Sequence, residues 1–552
     1  MTKDWTRRKF LGAVGAATIG GIGCGGGSSD EGGGDAGGGA DAAGDTTAPP
    51  SNDTTPPVAK APNVLLILVD QERYSRWSPS DLSLPAHERI AAMGVSFRRH
   101  YANAMPCTPS RSALYTGMHV PNTGMRSNIG FGGQGPMSTD LPTLGTHLQG
   151  LGYATAYFGK WHLSEIDAGE DCATPTAQAL ASYGFTEYSP CGDLPGKVRS
   201  GYEDDPTVAK EATSWLGAHG GDEKPWLLAV NFVNPHDIMF YYPGGLAAGS
   251  MGFTAPDDPI YKQQWAVELP PTWDEDLSSK PGAHAAYQKA YDTFQHYPDG
   301  PVGKELRKKF IETYMNCLSD VDRHIGAVLD ALEASPAGKD TIVVFTSDHG
   351  EMAFAHGLRG KGPFIYEENN HVPLVIAAPG VQGGRTVDVL SCHVDLVPTV
   401  LALCGQPIET TATKVPHLAG VDLSPLLTDP AGPAPRAELL MTFEFGGTMD
   451  FPGQNDKAKA DTGEARTFLR GMFDGKTKFA RYFASDAYHT PATVDELKAK
   501  NDLELYDVAK DAEEKANLAA TVDDATLETL RKRLNDLVAR EVGEDPQPKL
   551  DA

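Results

Sequence analysis

Long apolar runs are scarce in this chain. After the N-terminus the longest are Val64–Val69 and Val372–Ala378, the second interrupted by Pro373. Both fall far short of the roughly 18 to 20 residues needed to span a bilayer. Positive charge is also scarce. Lys and Arg number 47 against 73 Asp and Glu, a formal charge of −26 with a pI near 5.0. That balance excludes nucleic acid as the main partner, because phosphate binding wants a basic footprint. No internal repeat is present. What remains is ordinary for a globular protein: 40% hydrophobic and 22% charged residues in 552. The length suffices for a large core and predicts two or more domains.

The first 24 residues, MTKDWTRRKFLGAVGAATIGGIGC, have a charged start with Arg7 and Arg8, then a mildly apolar Gly/Ala stretch ending at Cys24. This is the layout of a twin-arginine export signal. Five glycines between 12 and 23 argue against an amphipathic helix there. Ile22 and Gly23 before Cys24 resemble a bacterial lipoprotein cleavage site, although Gly21 stands where that pattern prefers Leu; ordinary cleavage nearby is the alternative. Residues 25–60 hold ten Gly, six acidic residues and one basic residue, Lys60. Without apolar periodicity they are expected to form a disordered tether. The expected location is the periplasm or a membrane surface reached through a lipid on Cys24. An oxidising compartment permits disulfides, and Cys172 and Cys191 are candidates to close a loop. Cys317 and Cys404 are expected to be buried thiols.

From residue 61 the pattern changes. Asn63–Val69, Ala154–Phe158, Trp226–Phe232, Thr341–Thr346 and Leu374–Ala378 are short apolar runs separated by helical patterns. The clearest helix is Lys304–Ala334, with Phe310, Tyr314, Cys317, Leu318, Val321, Ile325, Val328, Leu329 and Leu332 on one stripe. Such alternation predicts an α/β fold, a mostly parallel sheet sandwiched by helices, over residues 61–435. Short β-like pieces from Leu439 to Val508 and a helix near Asp524–Glu541 predict a smaller α+β domain over 436–552.

Ligands of open α/β sheets bind beyond the C-terminal strand ends. Two apolar strands here finish in Asp70-Gln71 and in Asp348-His349, donors suited to Ca²⁺, Mg²⁺ or Mn²⁺. One Asp after a strand often only caps a turn; two such ends carry more weight. A third segment, CTPSRSALYTG from Cys107 to Gly117, reads as Thr108 N-cap followed by Pro109 at the first helical position. Cys107 then sits at a helix N-terminus, where free N–H groups and the dipole favour an anion, with Arg111 one turn on.

This segment resembles the Cys-x-Pro-Ser-Arg signature of the type I sulfatases of the alkaline-phosphatase-like superfamily. LVDQ, GKWHL (Gly159–Leu163), NPHD (Asn234–Asp237), SDHGE (Ser347–Glu351) and GKGPFIYE (Gly360–Glu367) follow in the family's order, and the resemblance covers residues 61 to about 520. It implies that a formylglycine-generating enzyme oxidises Cys107 to an aldehyde that hydrates to a geminal diol. One hydroxyl attacks the sulfur of a sulfate ester; the other then ejects sulfate as the aldehyde re-forms. It also implies one divalent metal on Asp70, Gln71, Asp348, His349 and the modified Cys107, with Ca²⁺ first and Mn²⁺ or Mg²⁺ as alternatives. Arg111 would hold the diol, and Lys160, His162, His236 and Lys361 would line the sulfate pocket, Lys361 or His236 protonating the leaving oxygen. Many relatives carry a second Asp at the position of Gln71 and Asn at that of His349. Both variants occur in choline-sulfatase-like and phosphonate-monoesterase-like members.

The expected substrate is a sulfated small molecule or carbohydrate. A phosphonate monoester or phosphodiester hydrolase on the same scaffold, or a non-catalytic binder of anionic glycans, are the alternatives. The stretch 238–300 supplies Phe240, Tyr241, Tyr242, Tyr261, Trp265 and Trp273, which stack on substrate rings or pack into the core.

Overall fold

The computed structural model describes residues 61–131, 133–166, 179–189, 192–243, 254–406, 418–444, 466–484 and 490–545. The proposed signal, tether and Cys172–Cys191 pair lie outside them. From Pro62 onward the chain forms one compact unit. Among the described residues no helix is long and apolar enough to cross a membrane.

The apolar runs become the middle of an eight-stranded sheet. Its order is Arg385–Val387, Val95–Phe97, Leu374–Ala377, Thr341–Ser347, Asn63–Asp70, Trp226–Pro235, Ala154–Gly159 and Glu187–Ser189. The five strands from Thr341–Ser347 onward run parallel, and Leu374–Ala377 runs antiparallel to both of its neighbours. Every residue of Asn63–Asp70 is buried, as a strand covered on both faces requires. On one face Leu65, Ile67, Trp226 and Leu228 meet Val208 and Ala212 of the Ser200–His219 helix and Val321, Ile325 and Leu329 of the long helix. That long helix spans Gly300–Ala334, starting four residues before the expected point because Pro301 suits its first turn. All nine predicted stripe residues are buried. The fold class is therefore the expected α/β one, a mostly parallel sheet packed with helices.

A second sheet carries Asp502–Asp507, Thr477–Phe483, Phe468–Phe473 and Leu439–Phe443 in antiparallel order. Its last strand is Ala104–Met105, which pairs parallel with Thr442 and Phe443. The segment leading into Cys107 is thus hydrogen-bonded to the C-terminal sheet, and Cys107 stands between the two sheets. The Asp524–Glu541 helix packs Leu527, Leu534 and Leu537 against the second sheet's Leu440, Met472 and Phe479.

Candidate active site

Strand register builds the centre of the site. Val69 lies opposite Ser347 in neighbouring parallel strands, so Asp70 and Asp348 emerge together at the C-terminal edge. The chain then turns sharply, with Gln71 at φ 75°. Positive φ is costly for a residue with a side chain, and such strain is tolerated where the surroundings enforce it. Gln71 N–H donates to Asp348 Oδ1 at 3.1 Å, which joins the two turns. Ligand atoms of Asp70, Cys107, Asp348 and His349 all lie within 4.8 Å of one another, and all four residues are buried. Cys107 Sγ is 3.1 Å from His349 Nε2 and 3.9 Å from Asp70 Oδ1. His349 Nδ1 is 3.0 Å from the Gly350 carbonyl. A carbonyl can only accept, so the proton belongs on Nδ1 and the Nε2 lone pair faces the cluster, the arrangement of a metal-ligating imidazole.

The helix carrying Cys107 runs Cys107–Thr116 and begins two residues earlier than expected. Thr108 does not cap it. Its hydroxyl donates to the His162 carbonyl at 2.6 Å, and its N–H donates to Asn128 Oδ1 at 3.1 Å. Pro109 has no N–H. Neither residue therefore offers the free helix-terminal donor that the sequence suggests, and the cationic side chains take over that task.

Arg111 is fully buried. Its Nε reaches Asp348 Oδ2 at 2.9 Å and its Nη2 reaches Asp70 Oδ2 at 3.1 Å, so one planar fork spans both carboxylates. Nη1 donates to the Lys160 carbonyl at 2.7 Å. Lys160 Nζ lies 2.7 Å from Asp70 Oδ2, an ionic contact rather than a directed hydrogen bond. Burial pushes the Asp70 carboxyl up, but the Lys160 and Arg111 cations outweigh it and hold the group well below the usual range. Asp348 moves the other way, raised by burial and by the charge of Asp70. Two carboxylates sharing a dry site separate in this manner. Burial and Asp70 oppose ionisation of the Cys107 thiol, yet the Lys160 and Lys361 ammonium groups lower it overall.

His162 and His236 flank these charges. His162 has φ 58°, and that turn is pinned by Asp193, whose two oxygens accept the Trp161 and His162 N–H groups at 2.9 Å each. Burial, then Lys160 and Arg111, hold His162 well below its usual pKa. Burial, then Lys361 and Lys160, do the same to His236. Both rings are buried, and among the described residues both Nδ1 atoms lack a hydrogen-bond partner. Two unsatisfied ring nitrogens beside two ammonium groups suit an oxyanion, which would complete their bonding. Lys361 donates to Gln71 Oε1 and lies 3.6 Å from Met239 Sδ. Gln71, an expected ligand, turns its side-chain oxygen to Lys361.

Gly196 backs the His236 ring. A Cβ there would lie 2.5 Å from the imidazole Cε1, and its φ is +88°. Gly196→Ala is expected to push His236 out of place and lower kcat/KM about tenfold or more, with the cluster's metal affinity unchanged. Steady-state kinetics beside a metal titration checks this; unaltered kcat/KM would show that the ring position is immaterial.

The structure thus gathers Cys107, Arg111, Lys160, His162, His236, Lys361 and the expected ligands into one buried neighbourhood. Other residues behave differently. Phe240 and Tyr241 are buried in an apolar cluster against which Tyr242, Trp265 and Trp273 pack, and Tyr261 is buried beside them in sequence. Cys317 is a buried thiol, but Cys404 is only partly buried. His371 pairs with Glu367 at 2.8 Å, and His356 stacks on Tyr366. The sequence reading passed over Asp193, Asn231 and Glu351. Asn231 had a visible signal, a lone amide within the apolar run Trp226–Phe232, and its Oδ1 accepts from Tyr115 at 2.8 Å and Arg111 at 3.4 Å.

Comparison with known proteins places this neighbourhood in context. A family model described as Sulfatase matches residues 62–406. The chain is 30% identical over 368 residues to the protein named "Uncharacterized sulfatase YidJ" of Escherichia coli (strain K12), covering 62% of this chain and 68% of that one. It is 29% identical over 356 residues to a Delta 4,5-hexuronate-2-O-sulfatase of Bacteroides thetaiotaomicron, covering 62% and 66%. It therefore spans about two thirds of the length of each. Among solved structures, a 2-O GAG sulfatase superposes with a TM-score of 0.66 at 24% identity, covering 87% of this chain and 92% of that one. A phosphonate monoester hydrolase from Silicibacter pomeroyi superposes with a TM-score of 0.65 at 22% identity, covering 88% and 96%.

Proposed function

Because this chain belongs to the sulfatase family and is a sulfuric ester hydrolase, we propose that it releases sulfate from a sulfated carbohydrate by way of a formylglycine made from Cys107. The observation that carries this reading is the buried meeting of Cys107 with Asp70, Asp348 and His349. Oxidised by a formylglycine-generating enzyme, the side chain at 107 would supply an aldehyde hydrate for attack on sulfur and for sulfate release, and a divalent ion would supply charge neutralisation. The donors fit such an ion: two carboxylates and an imidazole Nε2 with its tautomer set by Gly350. Carboxylate oxygens favour Ca²⁺ and also suit Mg²⁺, while the imidazole makes room for Mn²⁺. Gln71 Oε1 is a further candidate oxygen beside Lys361.

The remaining residues bind and orient. Arg111 fixes both carboxylates. Lys160 and Lys361 supply positive charge toward the sulfate oxygens, and His162 and His236 offer their free Nδ1 atoms as donors. Burial and the two ammonium groups hold His236 neutral, so delivery of a proton to the leaving oxygen falls to Lys361. The carbohydrate substrate is supported by the hexuronate sulfatase among the relatives. Export by Arg7-Arg8, with anchoring through Cys24, belongs to the same proposal; cell fractionation of Cys24→Ala tests the anchor, and an unchanged membrane fraction would refute it.

A second reading, phosphonate monoester or phosphodiester hydrolysis, is favoured by Gln71 and His349. A sulfate monoester, a phosphonate monoester and a phosphodiester each carry one negative charge on a tetrahedral centre, so the same donors would serve all three. Matured enzyme assayed on sulfated sugars, aryl sulfates, choline sulfate and phosphonate monoesters separates the two. Fastest turnover of a sulfated sugar, lost on chelation, is expected; turnover of phosphonates alone would overturn the first reading.

A further inference from the structure

Glu351 lies inside the SDHGE segment, is fully buried and has no ion-pair partner within 4 Å among the described residues. Its two oxygens have different tasks. Oε1 accepts the backbone N–H groups of Ala353 at 2.8 Å and Gly360 at 2.7 Å. Oε2 accepts from Gln71 Nε2. With both of its oxygens accepting, Glu351 takes the NH₂ end of Gln71 and leaves the amide oxygen on the other side, where Lys361 donates to it. A buried ammonium and a buried carboxylate are thereby joined through one oriented amide.

We propose that Glu351 is the positioning residue that sets the orientation of Gln71 and, through it, the place of Lys361 and the polarity that position 71 turns toward the Asp70, Asp348 and His349 cluster. This rests on the sulfatase reading above for the task of Lys361, but not for the orientation itself. Glu351→Gln isolates the effect. The two backbone N–H groups would still claim the oxygen of the new amide, so its NH₂ would meet the NH₂ of Gln71. Gln71 would then rotate, presenting donors to Lys361 and to any cation in the cluster.

The test is a polarity swap read in two ways. Glu351→Gln is expected to lose at least about tenfold in kcat, with less change in KM, and about tenfold in Mn²⁺ affinity followed by thermal shift, as loss of a buried charged hydrogen bond implies. Gln71→Glu is expected to be impaired by two facing carboxylates. Combined, Gln71→Glu with Glu351→Gln restores one carboxylate and one amide with the donor reversed, and should recover to within about threefold of wild type in both readouts. A double variant no better than the worse single one, or a Glu351→Gln protein equal to wild type, would overturn the proposal. If Glu351→Gln alone fails to fold, recovery of a cooperative melt in the double variant supports the proposal and its failure refutes it. Inactivity of wild type on every sulfate ester would count against the sulfatase reading, while the Mn²⁺ titration would still decide the role of Glu351.

Discussion

Cys107→Ala is expected to abolish ester hydrolysis, lowering turnover by more than about 10⁴-fold, the scale on which enzymes lose activity when the nucleophile is removed. The fold should survive. Cys107 is 1% exposed, but only one sulfur atom is lost, and its cavity costs about 1 to 2 kcal/mol. Far-UV circular dichroism and a melting curve measured beside the assay separate lost chemistry from lost structure. Cys107→Ser sharpens the test when the protein is matured by an enzyme specific for Cys. A hydroxyl at 107 can attack sulfur but has no second hydroxyl to expel the product. One sulfate per protein should remain attached, with no further turnover. Steady turnover by either variant would remove Cys107 from the reaction.

Asp70→Asn should have the second largest effect, and on two quantities at once. Asp70 is fully buried between Arg111 and Lys160, at 3.1 and 2.7 Å, and belongs to the ligand cluster. Removing its charge leaves two buried cations partly uncompensated, a loss of about 3 to 5 kcal/mol of stability in the protein free of metal. Removing a ligand should also weaken divalent-metal affinity and turnover by more than about 100-fold. The pH dependence follows from the depressed carboxyl of Asp70. Its folded pKa lies below its unfolded value, so its stabilisation is present above the unfolded value of about 3.9 and is lost as pH falls through the folded one. The stability gap between wild type and Asp70→Asn should therefore persist at neutral pH and close only in strong acid. Chemical denaturation at several pH values checks this, and a gap that closes near neutrality would contradict the charge assignment.

Local pattern made the central strands and the long helix legible. NVLLILV and TIVVFTS are buried on both faces, so their composition alone marks them. The Gly300–Ala334 helix has a stripe long enough to be unmistakable. The pairing of Ala104–Met105 with the C-terminal sheet was not legible, since a two-residue strand has no period and its partner lies more than 300 residues away. Thr108 was misread for a related reason. Thr-Pro is a capping signal, but the hydroxyl found the His162 carbonyl 54 residues on. Sequence alone left open whether the aromatic residues near 240–273 stack on a ligand or pack inside, because residue type does not report packing. At the site, residue types and motif order singled out the groups that meet. They did not single out Asp193, whose two hydrogen bonds define the His162 turn, because that contact is 31 residues long in sequence. Nor did they show which way the Gln71 amide faces, a matter decided by Glu351 across 280 residues.

The most direct test of the account is the mass of the tryptic peptide His100–Arg111 from protein produced beside a formylglycine-generating enzyme. Conversion of the Cys107 thiol to the aldehyde predicts a peptide lighter by roughly 18 Da, in proportion to specific activity. A fully active enzyme whose peptide keeps the unmodified cysteine mass would contradict it.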